Sequence, residues 1–197
     1  MILMINKISK NVAVFFIKNN LIQVDEIDIY IYGLQLIISS ILGISIILFL
    51  GIISERLTDS LIFLFCFIIL RQYSGGYHAN SYLKCNLYFI TIFLLTEAAV
   101  IYTQAKYKDV LTVGLICISF VIILRFAPID NINKKLSNSQ KLKNKKITLI
   151  IFVILITISI FMKVNDVNYY YNIAVTILSV TALMIIQKIK EAKQWKN

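Results

Sequence analysis

The sequence predicts an all-α polytopic membrane protein: six transmembrane helices preceded by an N-terminal amphipathic helix. Three observations lead there. Hydrophobic residues make up 59% of the 197-residue chain, with mean hydropathy +0.81, whereas soluble domains are about 45–50% apolar. The excess sits in long runs, most of them close to the roughly 20 residues needed to cross a hydrocarbon core. Lys and Arg gather at the ends of those runs, far more on one side than on the other.

The elements are taken in chain order. From Met1 to Asn20, Ile5, Ile8, Val12, Phe15 and Phe16 recur at helical spacing with Lys7, Lys10 and Lys18 between them. This predicts an amphipathic helix lying on the membrane surface rather than a signal peptide. An acidic patch, Asp25, Glu26 and Asp28, precedes a first span at Ile29–Ile53. The second, Leu57–Leu70, is short and calls for tilt or for continuation of the helix past Leu70. The third is Leu87–Thr103, the fourth Val110–Phe126, the fifth Ile147–Met162 and the sixth Tyr169–Ile186, with a long basic loop at Ile129–Lys146. No internal repeat is visible, and residues 1–197 read as a single integral membrane domain.

With six spans both termini share a side. All but four of the 20 Lys and Arg residues then fall on that side, the exceptions being Arg56, Lys106, Lys108 and Lys163. The positive-inside rule puts both termini, the Arg71–Asn86 segment and the basic loop in the cytoplasm. The net charge of +10 is therefore read as topology and contact with anionic membrane lipids, not nucleic acid. Cys66, Cys85 and Cys117 are odd in number, and two lie inside apolar runs, which argues against a disulfide framework.

Arg71–Asn86 is the least apolar stretch of the first half. It holds the only histidine, His78, together with Cys85 and a diglycine, Gly75–Gly76. Paired glycines weaken a helix by about 1 kcal/mol each relative to Ala, and a broken helix in a membrane protein is tolerated where it lines a cavity. A thiol beside an imidazole is the minimum for nucleophilic catalysis. Free thiols titrate near 8.5, so a neighbouring base is needed to take the proton and later return it to a leaving group. Arg71 and Lys84 add positive charge to the segment. A cysteine near an interface also serves as a small hydrophobe, and a lone histidine as a hydrogen-bonding group. Seven residues separate His78 from Cys85. On one straight helix that is about 10 Å along the axis, too far for the roughly 2.6–3.2 Å of a nucleophile–base pair. Either the helix breaks after Gly76 or the two are not a dyad. One His and one Cys leave too few ligands for a metal, and no cofactor is expected.

The stretch RQYSGGYHANSYLKC resembles the signature of the AgrB family, the accessory gene regulator B peptidases of Gram-positive quorum sensing: an Arg, then Gly-Gly-x-His, then a Cys seven residues past the His. RFAPIDNINKKL, Arg125 to Leu136, is similar to the segment after that family's fourth span. Ile132 and Lys135 stand near positions often held by Pro there, which bears on loop conformation. The resemblance covers nearly the whole chain. It implies a membrane cysteine endopeptidase that removes the C-terminal tail of an AgrD-type precursor peptide. The product is then closed to a thiolactone (or lactone) through an acyl-enzyme thioester. The family's catalytic Cys and His fall on Cys85 and His78, its Arg on Arg71 and its glycines on Gly75 and Gly76. It also suggests a homodimer. A reading from another class is a non-catalytic membrane transporter or lipid-binding protein whose broken segment lines a pathway.

Other residues are candidates of a second kind. Glu97 is an intramembrane carboxylate, yet twelve residues from Cys85, about 18 Å along a helix. It is therefore expected to be neutral, paired or near the outer interface. Gln35 is expected to hydrogen-bond between helices. Asp130 and Asn80 are alternative orienters of His78. Cys66 and Cys117 read as packing residues. The lysines from Lys134 to Lys146 read as a topological determinant, with Lys134 and Lys135 as candidates for holding an acidic precursor tail.

Overall fold

A computed structural model describes residues 2–76, 81–130 and 136–194. Among the described residues seven α-helices follow one another: α1 (Ile2–Lys18), α2 (Ile27–Ile53), α3 (Leu57–Ser74), α4 (Tyr82–Tyr102), α5 (Ala105–Phe126), α6 (Asn138–Val164) and α7 (Tyr170–Gln194). The last six are long and apolar enough to cross a membrane, so the all-α, six-span expectation holds and the chain is a multi-pass membrane protein.

Several boundaries differ from those expected: α5 starts at Ala105 rather than Val110 and α7 runs past Ile186 to Gln194, and three further shifts bear on the site. α3 runs on to Ser74, so the short second span becomes 18 residues, about 27 Å, close to a hydrocarbon core. α4 starts at Tyr82 rather than Leu87, which puts Cys85 inside the helix. α6 starts at Asn138, nine residues before the apolar run, so the second part of the expected basic loop is helical. Ser137 explains this: its hydroxyl accepts from the Gln140 N–H at 3.3 Å while Gln140 Oε1 accepts from the Ser137 N–H at 3.0 Å. This reciprocal cap starts the helix in polar sequence.

The chain divides into two compact units, residues 1–50 with 79–91 and residues 51–78 with 92–197. In the first, α1 buries Ile5, Ser9 and Ala13, one turn apart, at 1%, 0% and 0% exposure, while Ile8 and Phe15 are left outside at 41% and 58%. Ser9 and Ala13 are small and allow close approach, while Ile8 and Phe15 of the apolar face expected to lie on the membrane stay exposed. Phe16 meets Tyr30 of α2 edge-on at 6.4 Å. α2 and α4 cross where α2 is smallest: a Cβ on Gly43 would stand 3.2 Å from both Asn86 Oδ1 and the Phe89 ring.

In the second unit α7 is central. It packs on α3, α5 and α6, and 61% of its span is buried against 44% for the next most buried. Phe63, Leu70, Ile123, Phe152, Leu155, Ile177 and Met184 fill the interior, and Phe63 lies 5.2 Å from the rings of Phe67 and Phe93. Hydroxyls join the helices, as between Thr96 and Ser179 at 3.0 Å. Such bonds take the place of a hydrophobic driving force that lipid does not supply.

Candidate functional site

α3 ends in the diglycine because that is where an L-residue no longer fits. The Gly75 N–H still donates to the Arg71 carbonyl at 3.1 Å, but its φ is +74° and that of Gly76 +147°, a region that favours glycine. A Cβ on Gly75 would run into the Ile129 carbonyl oxygen, and one on Gly76 would stand 2.9 Å from Arg71 Nη1. The Ile129 N–H donates to the Ser74 carbonyl at 2.9 Å. Ser74, Ala127 and Ile129 are all buried. The predicted break is therefore real, and the segment after α5 is built onto it. The guanidinium of Arg71 lies 5.6 Å from the centre of the Phe67 ring one turn earlier.

The lysines that open α6 are more than a topological signal. Lys145 Nζ donates to the Leu124 carbonyl at 3.0 Å, satisfying a backbone acceptor left open at the end of α5. Lys141 pairs with Asp130 Oδ2, while Asp130 Oδ1 is buried with no hydrogen-bond partner among the described residues. The expected site residues His78, Lys134 and Lys135, and the alternative orienter Asn80, lie outside the described residues.

Cys85 belongs to the first unit. Ser81 caps α4: its hydroxyl accepts from the Lys84 N–H at 3.3 Å, and its carbonyl accepts from the Cys85 N–H at 3.0 Å. The half-buried Cys85 side chain thus stands in the first helical turn, at the end of the helix dipole that favours an anion. On either side of it in sequence, Tyr82 donates from its hydroxyl to Gln35 Oε1 at 2.9 Å and Asn86 Nδ2 donates to the Ser39 carbonyl at 3.2 Å. Gln35 in turn donates from Nε2 to Asn6 Oδ1 at 2.8 Å. The interhelical role expected of Gln35 is present. The Tyr82 and Asn6 partners were not legible, because they lie 47 and 29 residues away.

The structure therefore brings Arg71, Gly75 and Gly76 together in one unit and holds Cys85 in the other. Glu97 belongs elsewhere. Its Oε2 accepts from Arg56 Nε at 2.9 Å, Arg56 Nη2 lies 3.1 Å from Asp59 Oδ2, and Asn172 Nδ2 donates to Asp59 Oδ1 at 2.9 Å. Arg56 precedes α3 and Arg71 lies 15 residues further on, about 22 Å along the axis. The carboxylate is thus paired in a cluster at the opposite end of α3 from the diglycine. Cys66 is buried as expected of a packing residue, whereas Cys117 is exposed on α5.

Comparison with known proteins gives a consistent result. The family model for accessory gene regulator B matches residues 4–187. An AgrB-like protein of Clostridium perfringens strain 13 is 32% identical over 167 residues, 81% of this chain and 75% of that protein. A second, from strain SM101 of the same species, is 30% identical over the same shares. The accessory gene regulator protein B of Staphylococcus haemolyticus is 24% identical over 180 residues, 91% of this chain and 94% of that one. No solved structure matches the chain. A six-span helical protein with this Arg, diglycine, His and Cys order, matched by the family model from residue 4 to residue 187, belongs to the accessory gene regulator B family.

Proposed function

We propose that this protein is a cysteine endopeptidase that removes the C-terminal tail of an AgrD-type precursor peptide and cyclises what remains. Membership of the family implies a role in quorum sensing, and the position of Cys85 carries the finer reading. The thiol stands in the capped first turn of α4, and α3 ends at the diglycine, so no single straight helix runs from Arg71 to Cys85.

In this reading His78 takes the thiol proton of Cys85, and the thiolate attacks the carbonyl carbon of the scissile peptide bond. The C–N bond breaks. His78 returns the proton to the departing amine, which becomes the N-terminus of the released tail. The acyl group stays on Cys85 as a thioester. An internal Cys thiol of the precursor, or a Ser hydroxyl in its place, then attacks that thioester and restores the Cys85 thiol, giving a thiolactone or lactone. Holding the internal nucleophile against the acyl group makes the step effectively unimolecular, at effective molarities that reach about 10⁵ M or more. A site that excludes water protects the thioester from hydrolysis. The family resemblance gives Arg71, Gly75 and Gly76 supporting roles, and Lys134 and Lys135 the holding of an acidic tail. The chemistry takes place on the cytoplasmic side, where both termini lie, and the enzyme works as a homodimer in the lipid bilayer.

The test is co-expression with the precursor and a gel for its cleavage. Cys85→Ala and His78→Ala are each expected to abolish the cut at unchanged membrane levels. Normal cleavage by Cys85→Ala would overturn the proposal.

A further inference from the structure

Three polar side chains inside the first unit form one directed chain. The Tyr82 hydroxyl donates to Gln35 Oε1 at 2.9 Å, and Gln35 Nε2 donates to Asn6 Oδ1 at 2.8 Å. Both functions of the Gln35 amide are used, one toward α4 and one toward α1. One turn further along both α2 and α4, the Ser39 hydroxyl meets Asn86 Oδ1 at 3.4 Å and Asn86 Nδ2 donates to the Ser39 carbonyl at 3.2 Å. Gln35 and Ser39 share a face of α2, as Tyr82 and Asn86 share a face of α4, because residues four apart are stacked on a helix. Cys85 stands between the two α4 contacts in sequence. Two contacts a turn apart block rotation of this turn about its axis, and it is that rotation that would swing the Cys85 side chain.

The first contact reaches beyond the second, because it continues to α1. α1 has three sides. Ile5, Ser9 and Ala13 are buried; Ile8 and Phe15 are exposed and apolar; Lys7, Lys10 and Lys18 are exposed and basic. A helix so divided suits the boundary between protein, acyl chains and anionic headgroups. Asn6 lies beside the buried side, so a shift of α1 at the membrane surface is passed to Gln35 and from there to the turn that carries Cys85.

We infer that Gln35 is a positioning residue for Cys85, coupling the membrane-surface helix α1 to the first turn of α4 through Asn6 and Tyr82. The inference rests on Cys85 being the nucleophile of the proposed peptidase, and it specifies how that thiol is set. Removing any link lets the turn rotate, and a displacement of about 1 Å can cost on the order of 100-fold in rate.

The experiment uses the full chain in vesicles of phosphatidylglycerol and phosphatidylethanolamine, with Cys66→Ala and Cys117→Ala so that Cys85 is the one thiol. Asn6→Ala, Gln35→Leu and Tyr82→Phe are compared with this parent in two assays. One is the rate of Cys85 alkylation by a small maleimide, which needs no peptide. The other is kcat and KM for precursor cleavage. Tyr82→Phe removes a single oxygen atom and serves where Gln35→Leu fails to insert. The expected result is a change of several-fold in alkylation rate in all three variants. For cleavage, kcat should fall about 10- to 100-fold with KM near the parent value, and the Gln35→Leu/Tyr82→Phe double variant should be no worse than Gln35→Leu alone. Alkylation rates and kcat equal to the parent in Gln35→Leu and Tyr82→Phe would overturn the inference. A parent that alkylates but never cuts the precursor would instead count against the peptidase reading, leaving the alkylation rates to decide the positioning role.

Discussion

Ile129 donates its backbone N–H to the Ser74 carbonyl at 2.9 Å, so the segment leaving α5 is fastened to the last residue of α3. The two stretches that carry the resemblance to the family, one around the diglycine and one around Pro128, meet at this bond. Each glycine at the junction has its own reason to be glycine: Gly75 lies against the Ile129 carbonyl and Gly76 against the Arg71 guanidinium.

Gly75→Ala tests that packing directly. The substitution meets both a positive φ and the Ile129 carbonyl. It is expected to cost more than about 1 kcal/mol and to push Ile129 off Ser74. Thermal unfolding of the purified protein in detergent should show a lower midpoint, and precursor cleavage should fall sharply at equal membrane level. An unchanged midpoint and unchanged turnover would mean that the junction is not needed.

Arg56→Leu tests the cluster at the other end of α3. Asp59 and Glu97 are buried at 6% and 7% exposure and share the one guanidinium. Removing it leaves two buried carboxylates without their cation. Breaking a buried pair costs about 3–5 kcal/mol, and the partial exposure of Arg56 places this case toward the lower end. Adding Glu97→Gln to Arg56→Leu should recover part of the loss, in a double-mutant cycle read by thermal unfolding. Additive losses would show that the two side chains do not act together.

Much of the fold was legible because lipid imposes a simple rule: every span needs its own apolar run, and the runs are separated by charge. The break at Gly75–Gly76 was legible for the same kind of reason, since paired glycines oppose a helix. The starts of α4 and α6 were not, because hydropathy marks where the chain enters lipid and not where the helix begins. Ser81 and the Ser137–Gln140 pair were the signals that mark those starts. The polar contacts were beyond reach. Glu97 stood out as an intramembrane carboxylate, but its partner Arg56 is 41 residues away, and Asp59 and Asn172 are 113 apart. Nothing in either local sequence names the other. On α1 the apolar spacing marked Ile8 and Phe15, which stay exposed, and gave no sign that Ser9 and Ala13 pack inward, although close helix packing favours small residues.

The proposed cytoplasmic placement of Cys85 rests on the bias of Lys and Arg to one side of the membrane. In the Cys66→Ala/Cys117→Ala background, a membrane-impermeant maleimide added to intact cells should leave Cys85 unlabelled, and permeabilisation should expose it. Ready labelling from outside would invert the topology.

The central claim is that Cys85 carries the N-terminal part of the precursor as a thioester. Intact mass spectrometry of the purified enzyme tests it most directly, using a precursor whose internal Cys is changed to Ala so that ring closure is blocked. The enzyme should gain the mass of the N-terminal fragment, the adduct should be absent from Cys85→Ala and His78→Ala, and hydroxylamine should release it. Cleavage of the precursor by Cys85→Ala at the normal rate, with no adduct on the unmodified enzyme, would contradict the account.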